Sequence, residues 1–416
     1  MNPDPLHRAI SIGLVLSGGG ARGAYEVGVL RYVREKLRVD TRFDVITGTS
    51  VGAINGAYLA ATCDRPRAQA RMLQRVWSDL TIDNVYHFGW EQLRNLPTAF
   101  FGKNLPKISH GGRVGGLVDA RYLEKIVRTQ IPWAGITENL RQGKLSAFAC
   151  TATELATGIC TTFVQNTGND VAPLWAAAYN EAVVPTTIAP AHALASAAIP
   201  GLFPAVRVND HFFVDGMLRQ NTPLRPAIRL GANRLLIVAL DHVENAKRAR
   251  ERKRERDQFV FPNAFFLLGK TLNALMLDRM EVDMVQIRRL NQLIDAGKQL
   301  YGEDFANRIS SEMHRQEPFR EVKLVVIQPS HDLSQIAWDV VRRTGLRHYS
   351  GLTARLIRRS MDASREFEAG ENDFASYVLF DPTYLREVIE LGYSDAQANH
   401  DDLIELFDRS EEPHKK

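Results

Sequence analysis

A serine between two glycines is the residue of this 416-residue chain best suited to covalent chemistry. Ser50 stands at the centre of Gly48-Thr49-Ser50-Val51-Gly52, a G-x-S-x-G motif. Small flanking residues permit a sharp turn that lifts the hydroxyl clear of the backbone, where it can act as a nucleophile. A serine beside glycines can also be a simple helix cap, so the motif needs support from its surroundings.

The elements on either side of the motif supply that support. Residues 43–46 are mostly apolar and predict a short buried strand, and residues 53–61 predict a helix of small and apolar residues. Ser50 therefore falls on a strand-to-helix turn. The first amides of the helix and its positive dipole end point back at this turn and favour a negative charge there. We predict that Ser50 is a nucleophile and that Gly48 and Gly52 form its elbow.

A second glycine-rich stretch follows the first predicted strand. Gly18-Gly19-Gly20-Ala21-Arg22-Gly23 lies between a predicted strand, residues 11–17, and a predicted helix, residues 24–37. Glycines let a substrate approach the backbone amides closely, and such amides can stabilise a developing oxyanion. A cation in the loop can hold its shape. The residues of this predicted oxyanion loop are Gly18, Gly19, Gly20, Arg22 and Gly23.

The same glycines permit a different class of enzyme. Gly18, Gly20 and Gly23 satisfy the dinucleotide pattern G-x-G-x-x-G, and Asp40 stands at about the distance of a ribose-binding acid. An NAD(P)-binding oxidoreductase is therefore an alternative. Arg22 favours the oxyanion loop, because the dinucleotide pattern requires no charged residue at that place.

A candidate general base follows two short predicted strands. Residues 205–208 and 211–214 have strand character and are joined by Asn209-Asp210, a good tight-turn pair. Asp215-Gly216 comes at the end of the second strand. An aspartate there is well placed for a cleft, although aspartates before glycines also form turns by bonding their own backbone.

These three stretches together resemble, in order and context, the signature of the patatin-like phospholipase family. The segment 195–206 also looks like the family's segment before the aspartate. Three further stretches look like bacterial members: Asn221-Thr222-Pro223, Ser376 to Phe380 and Leu391 to Ala396. The resemblance is strong from about residue 11 to 240, thin through 241–320, and returns in pieces afterwards. Met217 departs from the family, which usually has a small residue at this position.

The resemblance implies a three-layer α/β/α fold with a central, mostly parallel sheet. It implies a lipid acyl hydrolase that cleaves fatty-acyl esters of phospholipids or related lipids. Carried over, Ser50 is the nucleophile, Asp215 followed by Gly216 is the general base, and the Gly18–Gly23 loop is the oxyanion hole. The family uses no catalytic histidine, no metal and no cofactor.

Two further interpretations stay open. An α/β-hydrolase triad runs in the order serine, acid, histidine, and His331 follows a predicted strand at residues 322–328 and could complete it. The other histidines after Asp215 are His242, His314, His348, His400 and His414. A non-catalytic lipid-binding protein is the second interpretation.

Composition limits the partners and the compartment. A net charge of +4 and a pI near 8.9 are too weakly basic to indicate nucleic-acid binding. The three cysteines form an odd set in a large chain, which argues against a disulfide framework and for a reducing compartment. No apolar run reaches the roughly 18 residues of a membrane span, and residues 10–16 are short for a signal sequence. We expect a cytoplasmic protein that contacts the membrane peripherally.

Four regions are predicted along the chain. Residues 8–240 form the catalytic core, 241–320 a helical basic and apolar insertion or cap, 321–395 a core-completing strand and helices, and 396–416 a C-terminal tail that is frayed from His400. Residues 247–268 combine basic and aromatic side chains, which suit an anionic lipid surface or a lid, with a dimer interface as the alternative. Aromatic residues between 77 and 101 are either core or the lining of an acyl-chain pocket.

Overall fold

The computed structural model describes residues 10–85, 113–114, 121–168, 170–175, 180–242, 280–313, 319–345 and 373–410. The strands of these residues are β1 (Ile12–Leu16), β2 (Val45–Thr49), β3 (Arg113–Val114), β4 (Ala147–Glu154), β5 (Cys160–Asn166), β6 (Glu181–Pro185), β7 (Ala205–Val208), β8 (His211–Asp215), β9 (Arg234–Val238) and β10 (Lys323–Ile327). The helices of the first half are α1 (Ala24–Lys36), α2 (Val51–Ala61), α3 (Pro66–Ser78), α4 (Ile82–Val85), α5 (Arg121–Gln130), α6 (Ala134–Arg141) and α7 (Pro190–Ser196). Those of the second half are α8 (Leu224–Arg229), α9 (Met280–Tyr301), α10 (Phe305–Glu312), α11 (Leu333–Thr344), α12 (Asp373–Val378), α13 (Pro382–Ala398) and α14 (His400–Phe407).

The strands form one mixed sheet with a parallel centre. Its order is β10-β9-β1-β2-β4-β8-β7-β3, and β5 and β6 extend from the other side of β4. Strands β10, β9, β1, β2 and β4 run parallel, whereas β8 is antiparallel to β4 and to β7. The carboxyl ends of the parallel strands therefore share one edge, where ligands bind in sheets of this kind.

Helices cover both faces of the sheet. Because side chains alternate along a strand, Leu14 and Ile46 enter one core with α1, α2 and α13, whereas Val15 and Val45 enter a second core with α8. Both β1 and β2 are buried throughout, as expected for parallel strands covered on two sides. The predicted three-layer α/β/α fold with a mostly parallel sheet is confirmed.

The C-terminal end of the chain departs from its prediction. Residues 400–407 were expected to be frayed, but they form α14, whose Leu403, Leu406 and Phe407 are buried. The ring of Phe407 lies 5.4 Å from that of Phe43, just before β2. These apolar side chains recur at three- and four-residue spacing, so burial of one helical face holds the segment in place.

Some predictions fall outside the described residues. The segment 247–268 with its proposed membrane contact lies there, as do the aromatic residues between 86 and 101. Among the helices that the structure describes, none is both long enough and apolar enough to cross a membrane.

Two glycines allow α1 and α13 to cross closely. A Cβ atom added to Gly28 would lie 1.9 Å from the carbonyl oxygen of Ile389, and one added to Gly392 would lie 2.2 Å from that of Tyr25. Both obstacles are backbone atoms of the facing helix, which cannot turn away as a flexible side chain can. The crossing therefore depends on the absence of side chains at these two positions.

We expect Gly28→Ala to destabilise the protein by about 3 kcal/mol, because the helices must separate to admit the methyl group. In an unobstructed helix the same change stabilises by roughly 1 kcal/mol, so the sign of the effect reports the crossing. Urea unfolding would measure it, with Lys36→Ala on the exposed part of α1 as the control. A Gly28→Ala protein as stable as the wild type would contradict the close crossing.

Candidate active site

The turn between β2 and α2 holds Ser50 in a strained conformation. Ser50 has φ 55° and ψ −123°, values that cost a non-glycine residue about 1–3 kcal/mol. The flanking glycines make the turn possible, because a Cβ atom on Gly48 would lie 2.2 Å from the carbonyl oxygen of Gly52, and one on Gly52 would lie 2.4 Å from that of Leu16. Ser50 thus lies on a sharp turn between β2 and α2, with Gly48 and Gly52 on either side.

Strand β4 brings Ser50 and Asp215 together. In the register of the sheet, Thr49 pairs with Thr151, and Asp215 pairs with the next residue of β4, Ala152. Two positions that are 165 residues apart in sequence consequently end beside the same strand, and the Ser50 hydroxyl donates a hydrogen bond of 2.6 Å to Asp215 Oδ2. Ser50 is 2% exposed and Asp215 is completely buried.

The other oxygen of Asp215 is also engaged. Oδ1 accepts a hydrogen bond of 2.9 Å from the backbone amide of Met217. Burial raises the pKa of Asp215 to about 7, and the bonds from Ser50 and Met217 only partly offset that rise. Gly216 allows the chain to pass β4, since a Cβ atom there would lie 2.3 Å from the carbonyl oxygen of Thr151. A buried carboxyl group that titrates near neutral pH suits proton transfer.

Ser196 is a site residue to which the sequence analysis gave no role. The amide of Ser50 donates to Ser196 Oγ at 2.8 Å, and the Ser196 hydroxyl donates in turn to the carbonyl oxygen of Thr151 at 2.6 Å. Ser196 therefore ties the strained turn to β4. Its only sequence signal is a single hydroxyl in the alanine-rich helix α7.

The amides of the glycine loop are not equivalent. Gly18 donates to Asn221, to the side-chain oxygen at 3.0 Å and to the carbonyl oxygen at 3.2 Å, and the amide of Arg22 donates to the carbonyl oxygen of Gly19. Within the described part of the chain, no acceptor takes a hydrogen bond from the amide of Gly19 or of Gly20. Of the residues predicted to form the oxyanion loop, Gly19 and Gly20 thus have backbone amides that can donate to a substrate. The amide of Gly18 is already bonded to Asn221.

Arg22 holds the glycine loop against side chains of α11 and α12. Its guanidinium donates to Ser376 Oγ at 2.7 Å, to Ser334 Oγ at 2.9 Å and to the Tyr377 hydroxyl at 3.1 Å, and it lies 3.9 Å from the centre of the Tyr377 ring. Gly20 has φ 57°, and a Cβ atom there would lie 2.2 Å from the carbonyl oxygen of Tyr377. Helices α11 and α12 therefore set the shape of a loop more than 300 residues earlier.

We expect Arg22→Lys to destabilise the protein by about 3 kcal/mol, because one ammonium group cannot reach three hydroxyls and hydrogen bonds to buried charges are lost. The exposed pair of Arg343 with Glu387 gives a matched control, Arg343→Lys, which should change stability by less than about 1 kcal/mol. Chemical unfolding of the two variants would compare them. Equal unfolding midpoints for Arg22→Lys and Arg343→Lys would mean that the buried guanidinium of Arg22 contributes no more to stability than the exposed one of Arg343.

An apolar cavity starts at Ser50 and Gly20. Its walls come from α2, α3 and α5, including Ile54, Leu73 and Val127. Trp77, the first of the aromatic residues predicted to be core or pocket lining, is 4% exposed and lines the cavity. The hydrogen-bonded Ser50 therefore borders a cavity whose other lining residues are mostly apolar.

The structure separates the residues of two alternative sites. His331 is exposed and its ring bonds the neighbouring Ser330 hydroxyl, whereas Ser50 bonds Asp215 directly. Asp40 comes before β2, while the glycine loop follows β1; because the two strands are parallel, these residues lie at opposite edges of the sheet. The geometry fits neither a triad through His331 nor a dinucleotide site that uses Asp40.

Met217, the predicted departure from the family, is accommodated by the glycine loop. Its buried side chain occupies the space beside Gly18, where an added Cβ atom would lie 2.4 Å from Met217 Cγ. Within the described ranges, no three histidine, cysteine, aspartate or glutamate residues are grouped to hold a metal ion.

Comparisons with known proteins identify the family of the chain. The patatin-like phospholipase family model matches residues 14–228, more than half of the chain. The chain is 39% identical over 100 residues to lysophospholipase nte1 of Aspergillus terreus, a match that covers 22% of this chain and 6% of that protein. It is 42% identical over 69 residues to patatin-like phospholipase domain-containing protein 7 of Mus musculus, covering 17% of this chain and 5% of that protein.

Among solved structures, the chain was compared with human GIVD cytosolic phospholipase A2 in complex with methyl gamma-linolenyl fluorophosphonate. It is 11% identical, covers 98% of this chain and 60% of that chain, and has a TM-score of 0.41. The matched family segment runs from β1 to α8 and so contains the glycine loop, the Ser50 elbow and Asp215. The chain belongs to the patatin-like phospholipase family.

Proposed function

We propose that the protein is a lipid acyl hydrolase that cleaves fatty-acyl esters of phospholipids or related lipids through Ser50 and Asp215. The observation that carries the proposal is the 2.6 Å hydrogen bond from the Ser50 hydroxyl to Asp215 Oδ2. A direct bond of this kind lets the carboxylate take the hydroxyl proton without an intervening histidine.

In the first half of the reaction, Ser50 Oγ attacks the carbonyl carbon of the ester as its proton moves to Asp215 Oδ2. The carbonyl oxygen gains negative charge and accepts hydrogen bonds from the amides of Gly19 and Gly20. Each such donor typically contributes ~10²–10³ to the rate. The bond to the leaving alcohol then breaks, the alcohol oxygen takes the proton from Asp215, and the acyl group stays on Ser50.

In the second half, water attacks the acyl carbonyl carbon. Asp215 takes a proton from the water and returns it to Ser50 Oγ as the ester bond to the serine breaks. The fatty acid leaves and both residues regain their starting states. The N-terminus of α2 faces the same point and favours the negative charge that develops in both halves.

The cavity supports a fatty-acyl substrate. Its apolar lining starts at the nucleophile, so an acyl chain bound there would bring its carbonyl carbon to Ser50. Burying a chain of this kind contributes about 0.8 kcal/mol per methylene group, which would make long acyl esters bind more tightly than short ones.

The proposal is tested by incubating the purified protein with phosphatidylcholine vesicles and measuring released fatty acid by mass spectrometry. A methyl alkyl fluorophosphonate should stop the release and add its phosphonyl group to the peptide that contains Ser50. Fatty-acid binding without any ester turnover or labelling would support a non-catalytic lipid-binding protein in its place.

A further inference from the structure

A buried carboxyl group lies behind the active site and takes no part in the proposed reaction. Glu26 occupies the first turn of α1 and is completely buried. Its Oε2 accepts a hydrogen bond of 2.7 Å from the side-chain amide of Asn55, and its Oε1 has no hydrogen-bond partner in the described part of the chain. Burial of an acid costs free energy, so its presence here needs a reason.

Asn55 connects this carboxyl group to two parts of the active site. Its Nδ2 also donates to the carbonyl oxygen of Gly23 at 3.3 Å, and its Oδ1 accepts from the indole Nε1 of Trp77 at 2.9 Å. Because the indole nitrogen can only donate, the oxygen of the amide must face Trp77 and its nitrogen must face Glu26 and Gly23. Asn55 therefore has one favourable orientation, in which it bonds the glycine loop and the cavity wall together.

We propose that Glu26 is a positioning residue of the hydrolytic site: as an acceptor it fixes Asn55, and through Asn55 it fixes Gly23 of the glycine loop and Trp77 of the cavity. This inference rests on the proposed function. Without Glu26, the Asn55 nitrogen keeps only its longer bond to Gly23. The glycine loop and the Trp77 indole ring are then no longer held in place by one fixed Asn55 side chain.

Burial favours the neutral form of the acid, and this form can still accept the hydrogen bond from Asn55. Burial raises the pKa of Glu26 well above its usual range, and the hydrogen bond from Asn55 offsets only part of that rise. A protonated carboxyl group keeps a carbonyl oxygen that accepts from Asn55. Glutamine offers the same oxygen in the same shape, so it should replace Glu26, whereas leucine should not.

The first experiment compares the hydrolysis of a soluble short-chain p-nitrophenyl ester by Glu26→Gln and Glu26→Leu. Each rate is divided by the amount of protein that a fluorophosphonate labels at Ser50, so that only active sites able to react are counted. We expect Glu26→Gln to retain wild-type kcat within about threefold, and Glu26→Leu to lose roughly 10- to 100-fold in kcat with KM little changed, as for misplaced catalytic groups. Glu35→Leu, on the exposed face of the same helix, is the matched control and should behave as wild type. A Glu26→Leu protein with unchanged kcat would overturn the proposal, as would a Glu26→Gln protein that falls equally far.

The second experiment does not depend on catalysis. The indole N–H resonance of Trp77, assigned with Trp77→Phe, should shift in Glu26→Leu and stay in place in Glu26→Gln and Glu35→Leu. An unmoved resonance in Glu26→Leu would break the proposed connection. If the wild type hydrolyses no ester while the resonance still shifts, the hydrolase function has failed and the hydrogen-bonded network has not. If Glu26→Leu does not fold, Trp77→Phe tests the other end of the network and should lower kcat per labelled site, and an unchanged kcat would count against the proposal.

Discussion

Replacing Asp215 with asparagine is expected to lower kcat by about 10³- to 10⁴-fold. Asparagine can keep the geometry of the site, with its oxygen accepting from the Met217 amide and its nitrogen donating to Ser50 Oγ. The bond to Ser50 then runs in the reverse direction, so the side chain cannot take the hydroxyl proton. Steady-state kinetics on a short-chain ester would measure the loss. His331→Ala, which changes an exposed histidine, is the control and should leave the rate unaltered.

The pH profile gives the same prediction a second readout. Asp215 must be ionised to accept a proton, and burial places its pKa at about 7. Wild-type kcat/KM should therefore rise as the pH passes through about 7 and level off above it, while the small residual kcat/KM of Asp215→Asn should lack this rise. A wild-type profile that is flat from pH 5 to 9, on the order of two units either side of that pKa, would contradict the assignment of Asp215 as the base.

Stability should respond in the opposite sense. Because the pKa of Asp215 is higher in the folded protein than in the unfolded chain, its contribution to stability is fully present below about pH 4 and is lost as the pH rises through about 7. Asparagine does not titrate. Relative to wild type, Asp215→Asn should become more stable between pH 4 and pH 8, by up to about 4 kcal/mol.

Replacing Ser50 with alanine is expected to reduce ester hydrolysis by about 10⁴-fold or more, because no other group forms the acyl intermediate. The variant should also lose all labelling by a fluorophosphonate. Hydrolysis that persists in Ser50→Ala at the wild-type rate would exclude Ser50 as the nucleophile. The protein should still fold, since only one buried hydroxyl is removed.

A comparison of Ser50→Ala with Ser50→Gly isolates the strain of the turn. Both variants lack the hydroxyl, so they differ only in the Cβ atom at φ 55°. We expect the glycine variant to be the more stable by about 1 kcal/mol, because relief of strain exceeds the entropy cost of a glycine. Thermal unfolding of the pair would measure this difference, and a more stable alanine variant would mean that the turn stores no strain.

Local sequence patterns predicted several strands of the sheet and drew attention to the two side chains that we propose react, Ser50 and Asp215. The glycines around Ser50 permit a sharp turn, the apolar run before them predicts a buried strand, and the small apolar residues after them predict a helix, so all three elements are indicated by one short segment. Asp215 was placed at a strand end by the same kind of pattern. Each of these predictions depends on residues that are close together in the chain.

The contacts that complete the site could not be predicted in this way. Ser196 bonds the Ser50 amide across 146 residues, and Arg22 bonds Ser376 across 354. Side chains such as serine and asparagine have many possible partners, and only the folded sheet decides which one is near. The helix at residues 400–407 differs from these contacts, because the three- and four-residue spacing of Leu403, Leu406 and Phe407 is a helical pattern within the local sequence.

The hydrogen-bond partners of Arg22 also limit where the chain can be truncated. The segment that matches the family ends at residue 228, but the hydroxyls around Arg22 belong to residues 334, 376 and 377, and β9, the direct neighbour of β1, begins only at Arg234. The segment that matches the family is therefore shorter than the set of elements that the glycine loop and the sheet contact. A fragment limited to residues 14–228 would contain both Ser50 and Asp215. It would lack β9, so the edge of β1 would be unpaired, and it would lack the three hydroxyl groups to which Arg22 donates. Fusion partners belong beyond α14, the last helix of the described residues.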